Sequence, residues 1–205
     1  MQLAPERKSN RERAEATRAL LIDAARTLFV EKGYADTGTP EIVAAAGVTR
    51  GALYHHFADK QALLRAVVER ESRSVAEEID RAAPDALAPV DALLAGGEAF
   101  VSAMAEPGRT RLLLLDGPAV LGRGTMDEID LEVGAMRSLR VGLALAMRAG
   151  SIGPLPLEAL TAILSAAFDR AALAIEASGE AADQRAVLSA LIRGLTTARE
   201  ADGTT

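Results

Sequence analysis

The chain has 205 residues, no cysteine and a formal net charge of -6 at pH 7. That length allows one large domain, or a small one joined to a larger one, with room for a sizeable core. The missing cysteines exclude disulfides, thiolate chemistry and cysteine-held metals. The opening stretch is polar and charged through Arg18, with no apolar signal core, and no apolar run is long enough to span a bilayer. The expectation is a soluble, unsecreted, cytoplasmic protein with no membrane partner.

The charge is unevenly spread. Residues 1–60 hold 9 basic against 8 acidic side chains, and residues 61–205 hold 14 against 21. Arg7, Lys8, Arg11 and Arg13 cluster in a stretch, residues 1 to about 12, that reads as a flexible or frayed arm. Such an arm can supply local phosphate contacts on an acidic chain, and it reads equally well as a solvated tail.

Helix one is predicted from there to about Lys32. Leu21, Ala25 and Leu28 recur at helical spacing, and Gly33 ends the run. Tyr34 can pack back on the last turn. Thr39 reads as an N-cap, with Pro40 at the first helical position and Glu41 in the first turn, so helix two is predicted over about Pro40–Ala46. The stretch Gly47–Phe57, GVTRGALYHHF, carries the most information. Gly47 can take the left-handed conformation that closes a helix. Thr49 is a good N-cap for the next one. Leu53 and Phe57 share a face and can anchor a core. Arg50, Gly51 and Tyr54, with one or both histidines, are then free to face outward. Gly51 weakens a helix, and close approach to another backbone would explain it. Three short helices with this turn fit a helix-turn-helix that places its third helix in the major groove.

Helix four is predicted from about Lys60, capped by Asp59, to about Ala82. Leu64, Val67, Val68, Val75 and Ile79 form its core face, and Pro84 and Pro89 mark its end. Some twenty residues span ~30 Å, enough to link a small head to a second domain. Further helices are predicted over about Val90–Ala105, Met126–Arg148, Leu157–Ala177 and Ala181–Arg199. A broken apolar piece, Arg111–Gly122, and a breaker-rich loop, Ser151–Pro156, lie between them. The fold class is all-α: a three-helix head over residues 1–59 and a larger helical bundle over residues 60–205, about nine helices in total. The apolar stripes of the last two helices are too wide for one neighbour. They suit either a buried pair or a four-helix bundle with a second copy.

The acids Asp127, Glu128, Asp130 and Glu132 read as a first helical turn facing water, favoured by the helix dipole, rather than as metal ligands. The His55–His56 pair lacks a third ligand, and neighbouring helix positions do not face each other, so no metal and no cofactor is expected. There is no nucleophile elbow, no phosphate-cradling glycine loop and no histidine elsewhere, so no enzyme is expected.

The run from Leu21 to Leu64 resembles the N-terminal domain of the TetR family of bacterial transcriptional regulators. The resemblance rests on LIDAARTLF (Leu21–Phe29), GYADT (Gly33–Thr37), AAAGVTRGALYHHF (Ala44–Phe57), and Lys60 with Leu63 and Leu64. Gly38 departs from it, since many members carry a polar residue there; Thr39, one position later, can supply the contact. The resemblance implies that Thr49, Tyr54 and Lys60 meet phosphates, that Arg50 and Gly51 meet base edges, and that His55 and His56 face the DNA backbone. It also implies a homodimer through about residues 157–199, bound to a pseudo-palindromic double-stranded operator. Finally, it implies a repressor released by a small effector held among helices four, five, seven and eight. Phe100, Met104, Leu114, Met136 and Phe168 are the candidate lining, although plain core packing is the commoner explanation for any one of them, and their aliphatic and aromatic character points to an apolar or amphipathic effector. The other reading is a dimeric helical interaction or ligand-binding module without regulated DNA binding.

Overall fold

The computed structural model describes residues 9–196. Among the described residues it holds ten α-helices, one π-helical turn and no β-strand, only a single bridge between Ile152 and Thr196. Arg7 and Lys8 of the basic arm, and residues 197–199 of the expected last helix, lie outside the described residues.

Helices α1 (Asn10–Lys32), α2 (Thr39–Ala46) and α3 (Arg50–His56) pack into a small head. Its centre is Leu21, Ala25, Phe29, Ile42 and Leu53, none with any exposed surface. α1 begins at Asn10, inside the stretch expected to fray. Ser9 accepts from the Glu12 backbone N–H, and the Glu12 carboxylate accepts from the Ser9 N–H at 2.6 Å, a capping box that holds the first turn. α2 also starts earlier than expected. Gly38 is its N-cap and Thr39 already lies inside the helix, because Glu41 accepts the Gly38 N–H at 3.2 Å. Gly47 closes α2 in the left-handed conformation, φ 65° and ψ 30°, as the sequence requires. The Thr49 hydroxyl then accepts the Ala52 N–H at 3.1 Å and opens α3.

α4 (Lys60–Ala82) leaves the head and forms the spine of the body. Asp59 caps it by accepting the Ala62 N–H at 2.7 Å. Around it pack α5 (Pro89–Met104), the π-helical turn Arg111–Asp116, α6 (Gly117–Leu121), α7 (Arg123–Val133) and α8 (Ala135–Arg148), with Gln61 in the first turn of α4 donating to the Val120 carbonyl of α6. α9 (Leu157–Ser178) and α10 (Ala182–Gly194) close the bundle. The single helix expected over Met126–Arg148 is two. The chain breaks at Gly134, where a β-carbon would lie 2.9 Å from the Asp130 Cα, so only glycine fits the corner. The last helix ends at Gly194, short of the expected boundary, and Thr196 instead bridges to buried Ile152. No helix of the described residues is long and apolar enough to cross a membrane.

Head and body are tied by a buried ion cluster that no local pattern announces. Glu71 of α4 accepts Arg26 Nε of α1 at 2.8 Å and Arg109 Nε, from the loop after α5, at 3.0 Å. Arg109 also donates to the Ala103 carbonyl at 2.6 Å and to Glu78 at 3.1 Å. Burial pushes the Glu71 carboxyl up, but the Arg26 and Arg109 guanidiniums outweigh it and hold it below the usual carboxylate range. Arg70 of α4 pairs with Asp23 of α1 beside this cluster.

Candidate functional site

α3 presents two unlike faces. Leu53 is fully buried and Phe57, just past its end, nearly so. Thr49, Arg50, Gly51, Tyr54 and His55 are exposed on the other side. The Arg50 guanidinium lies over the Tyr54 ring, 5.5 Å from its centroid. The side chains of Thr39 on α2 and of Arg50 act on the Tyr54 phenol and lower its pKa, Thr39 the more. Thr39 is thus spent on linking α2 to α3 rather than on capping α2. A β-carbon on Gly51 would meet only Thr49 Oγ1, at 3.8 Å, which is ordinary contact. Nothing within the chain requires glycine there.

The two histidines differ. His55 is exposed and His56 half-buried, with their rings edge to face. Burial lowers the His56 pKa, and the charges of His55 and Arg18 add to that, so the ring is a neutral donor and acceptor near pH 7. Lys60 turns back on the head. Its ammonium donates to the Tyr34 carbonyl at 2.8 Å and the Thr37 carbonyl at 3.0 Å, and sits 4.2 Å from the Tyr34 ring centroid. Its charge is partly sheltered, and it staples the link between α1 and α2 to the start of α4.

A second candidate site opens in the body. A cleft of about 580 Å³ runs between α4, α5, α8 and α9. Phe100 and Phe168 meet edge to face in its wall, ring centroids 5.4 Å apart. Met136 lines it as well. Met104 and Leu114 do not reach it. They line a neighbouring cavity of about 40 Å³, which shares Phe100, Ala135, Met136 and Ser165 with the cleft. At the mouth, Asp80 accepts from Arg137 at 2.8 Å and from the Ser138 hydroxyl at 2.7 Å.

The inner cavity corrects the reading of the acidic run. Asp127, Glu128 and Glu132 are exposed, but Asp130 turns inward. The break at Gly134 brings the N–H groups of Ala135 and Met136 onto its carboxylate. Burial still dominates and raises the Asp130 pKa to about 6. Asp169 of α9, not singled out from sequence, lines the same cavity. Burial and the Asp130 charge push its pKa up to about 7, and Arg123, at 4.0 Å, offsets this only in part.

Comparison with known proteins decides what the head and body belong to. Residues 21–67 match the family described as bacterial regulatory proteins, tetR family, and residues 90–198 match the tetracyclin repressor-like C-terminal domain. The chain belongs to the TetR family. A TetR-family transcriptional regulator from Pectobacterium atrosepticum shares its fold with a TM-score of 0.72 at 30% identity, over 93% of this chain and 98% of that one. RolR, solved with resorcinol bound, has the same fold with a TM-score of 0.68 at 23% identity, over 94% and 93% of the two chains. Among curated relatives, the A-factor receptor protein of Streptomyces griseus is 35% identical over 92 residues, 45% of this chain and 31% of the relative. The HTH-type transcriptional regulator AcrR of Shigella flexneri is 39% identical over 70 residues, 34% of this chain and 33% of AcrR. The chain thus matches about a third of the length of these curated relatives. They are named as receptors and regulators, not as enzymes.

Proposed function

We propose that this TetR-family chain is a cytoplasmic, sequence-specific DNA-binding regulator and not an enzyme, most simply a repressor released from a pseudo-palindromic operator by a small molecule. The observation that carries this is the outer face of α3. It displays Arg50, Gly51 and Tyr54 to solvent, and its glycine has no packing reason inside the chain. A glycine there lets the helix sit close to a DNA backbone, and an arginine in the first turn suits the paired acceptors of guanine. Thr49, Tyr54, His55 and neutral His56 suit phosphate oxygens. Thr39 and Lys60 act more through position: one aligns Tyr54 and the other fixes the α1–α2 link. The head ends at about residue 59 and the effector-binding and dimerising body follows. AcrR, named as a helix-turn-helix regulator, supports the DNA-binding reading.

One α3 reads few bases, so two copies are needed. Ile163 on α9 is 67% exposed, and Val187 and Leu191 on α10 are 58% and 46% exposed. Apolar side chains this open on adjacent helices favour a homodimer through α9 and α10. Ile163→Asp with Val187→Asp should leave a monomer in sedimentation, and an unchanged dimer would move the interface elsewhere. The cleft with Phe100, Met136 and Phe168 is the effector site, and its α4 wall links it to the head. RolR with resorcinol offers a parallel for a small ligand held by this fold.

Selection of bound duplexes from a random DNA pool tests the whole reading. It should return two half-sites related by a two-fold axis. Recovery of unrelated sequences would overturn it.

A further inference from the structure

The cleft and the inner cavity together define a charge as well as a shape. Seven ionisable side chains line them: Asp80, Asp85, Asp127, Asp130, Asp169, and against these Arg123 and Arg137. No lysine or histidine is among them. Arg137 is already paired with Asp80 at the mouth, 2.8 Å away. Arg123 stands 4.0 Å from Asp169 and is the only base at the inner end. The apolar middle is the edge-to-face pair Phe100 and Phe168 with Leu93, Leu139, Val141 and Leu145.

We propose that the cleft takes a lipophilic cation: an apolar body bearing an amine or quaternary ammonium group, with the charge lodged against Asp169 and Asp130. The inference rests on the reading of this cleft as the effector site. The volume suits a drug-sized molecule. An anion would have to pass Asp85 and the Asp80–Arg137 pair and then lodge against Asp169 and Asp130. A neutral ligand would leave Asp130 and Asp169 lining one small cavity with Arg123 alone to offset their ionisation. A cation adds to that offset and gains the faces of Phe100 and Phe168 on the way in. The raised pKa values of Asp130 and Asp169 agree with this, since burial outweighs the backbone N–H groups at Asp130 and the distant Arg123 at Asp169. Asp169 faces Asp130, Asp127 and Arg123 from α7; the other contributors to the inner wall from α4, α5 and the π-helical turn are uncharged.

Calorimetric titration of the full chain with three matched probes tests it: a naphthylbutyl trimethylammonium ion, the corresponding alcohol and the corresponding carboxylate. The ammonium ion should bind at least about tenfold more tightly than the alcohol, an amount one well-placed ion pair supplies, with the carboxylate weakest. At pH 7 its binding should also release protons, seen as a heat that varies with the buffer, because the carboxylates ionise fully against it. Asp169→Asn should cut the preference for the ammonium ion to within about threefold while leaving alcohol binding intact. Asp127→Asn, at an exposed position, should cut it by less and serves if the first variant does not fold. Equal binding of ammonium and alcohol, with both blocked by the cleft-filling Ala92→Phe, would overturn the cation inference and leave the cleft reading standing. Binding of none of the probes, or binding that Ala92→Phe leaves unchanged, would overturn both.

Discussion

Two sets of buried carboxylates in this chain are handled in opposite ways. At the junction of head and body, Glu71 sits between Arg26 and Arg109, each within 3.0 Å, and its pKa is lowered. In the inner cavity, burial and neighbouring acids raise the pKa values of Asp130 and Asp169, and the one guanidinium, Arg123, stands 4.0 Å from Asp169. Burial opposes ionisation in both places. The count and distance of the cations differ, and so do the neighbouring acids. A carboxylate with its partners built in holds elements together. A carboxylate with too few of them is unfavourably ionised, and such sites are where ligands or protons act.

The junction should give the largest effect. Glu71→Ala strands Arg109, which is 7% exposed, with Glu78, the Ser74 hydroxyl and the Ala103 carbonyl for company. Removing one partner of a buried pair costs about 3–5 kcal/mol, so the urea midpoint should fall steeply. A loss below about 1 kcal/mol would mean that the cluster is effectively a surface feature.

The inner cavity should respond with the reverse sign. Asp169 has a folded pKa of about 7, above its ordinary value of 3.8. Below pH ~4 it is protonated in both states and carries no penalty. As pH rises from there through 7, the unfolded chain ionises freely and the folded one resists, so its contribution to stability is lost across that window and stays lost above it. Asp169→Asn should therefore stabilise the protein at pH 8 by about 2 kcal/mol, after allowance for partial exposure, and by little at pH 4. Unfolding curves of wild type and variant at the two pH values check this. A variant less stable at pH 8 would erase the contrast between the two sites.

The smallest effect concerns the head. Thr39→Val removes the polar influence of Thr39 on Tyr54 and should cost up to about 1 kcal/mol in thermal unfolding. A larger loss would restore Thr39 as the cap of α2.

The head was more legible than the body because its signals are local. Gly47, Thr49 and Asp59 each act within a few residues of where they stand, and each does in the structure what its type suggests. The capping box of Ser9 and Glu12 was equally readable, as a serine followed three residues later by a glutamate, but charge density around it suggested a frayed arm. Thr39 was misread because two neighbours could each cap α2, and Tyr54, fifteen residues on, took its hydroxyl. The body's chemistry is non-local. Arg109 and Glu71 are 38 residues apart, and Asp130 of α7 and Asp169 of α9 line one cavity despite their separation in the chain. Helical spacing told which residues share a face of α9 but not which acid would lie beneath it. Phe100, Met136 and Phe168 were found as lining because large apolar residues at core positions are visible in sequence. The charges among them were not.

The reading of α3 as the base-reading element stands on Arg50. Affinities of wild type and Arg50→Ala for a selected palindromic duplex, and for the same bases shuffled, give the decisive ratio at one salt concentration. Wild type should prefer the palindrome strongly, and Arg50→Ala should lower that preference at least about tenfold per lost bidentate contact while binding shuffled DNA nearly as before. If the ratio is unchanged in the variant, or if wild type binds both duplexes alike, α3 does not read this chain's DNA.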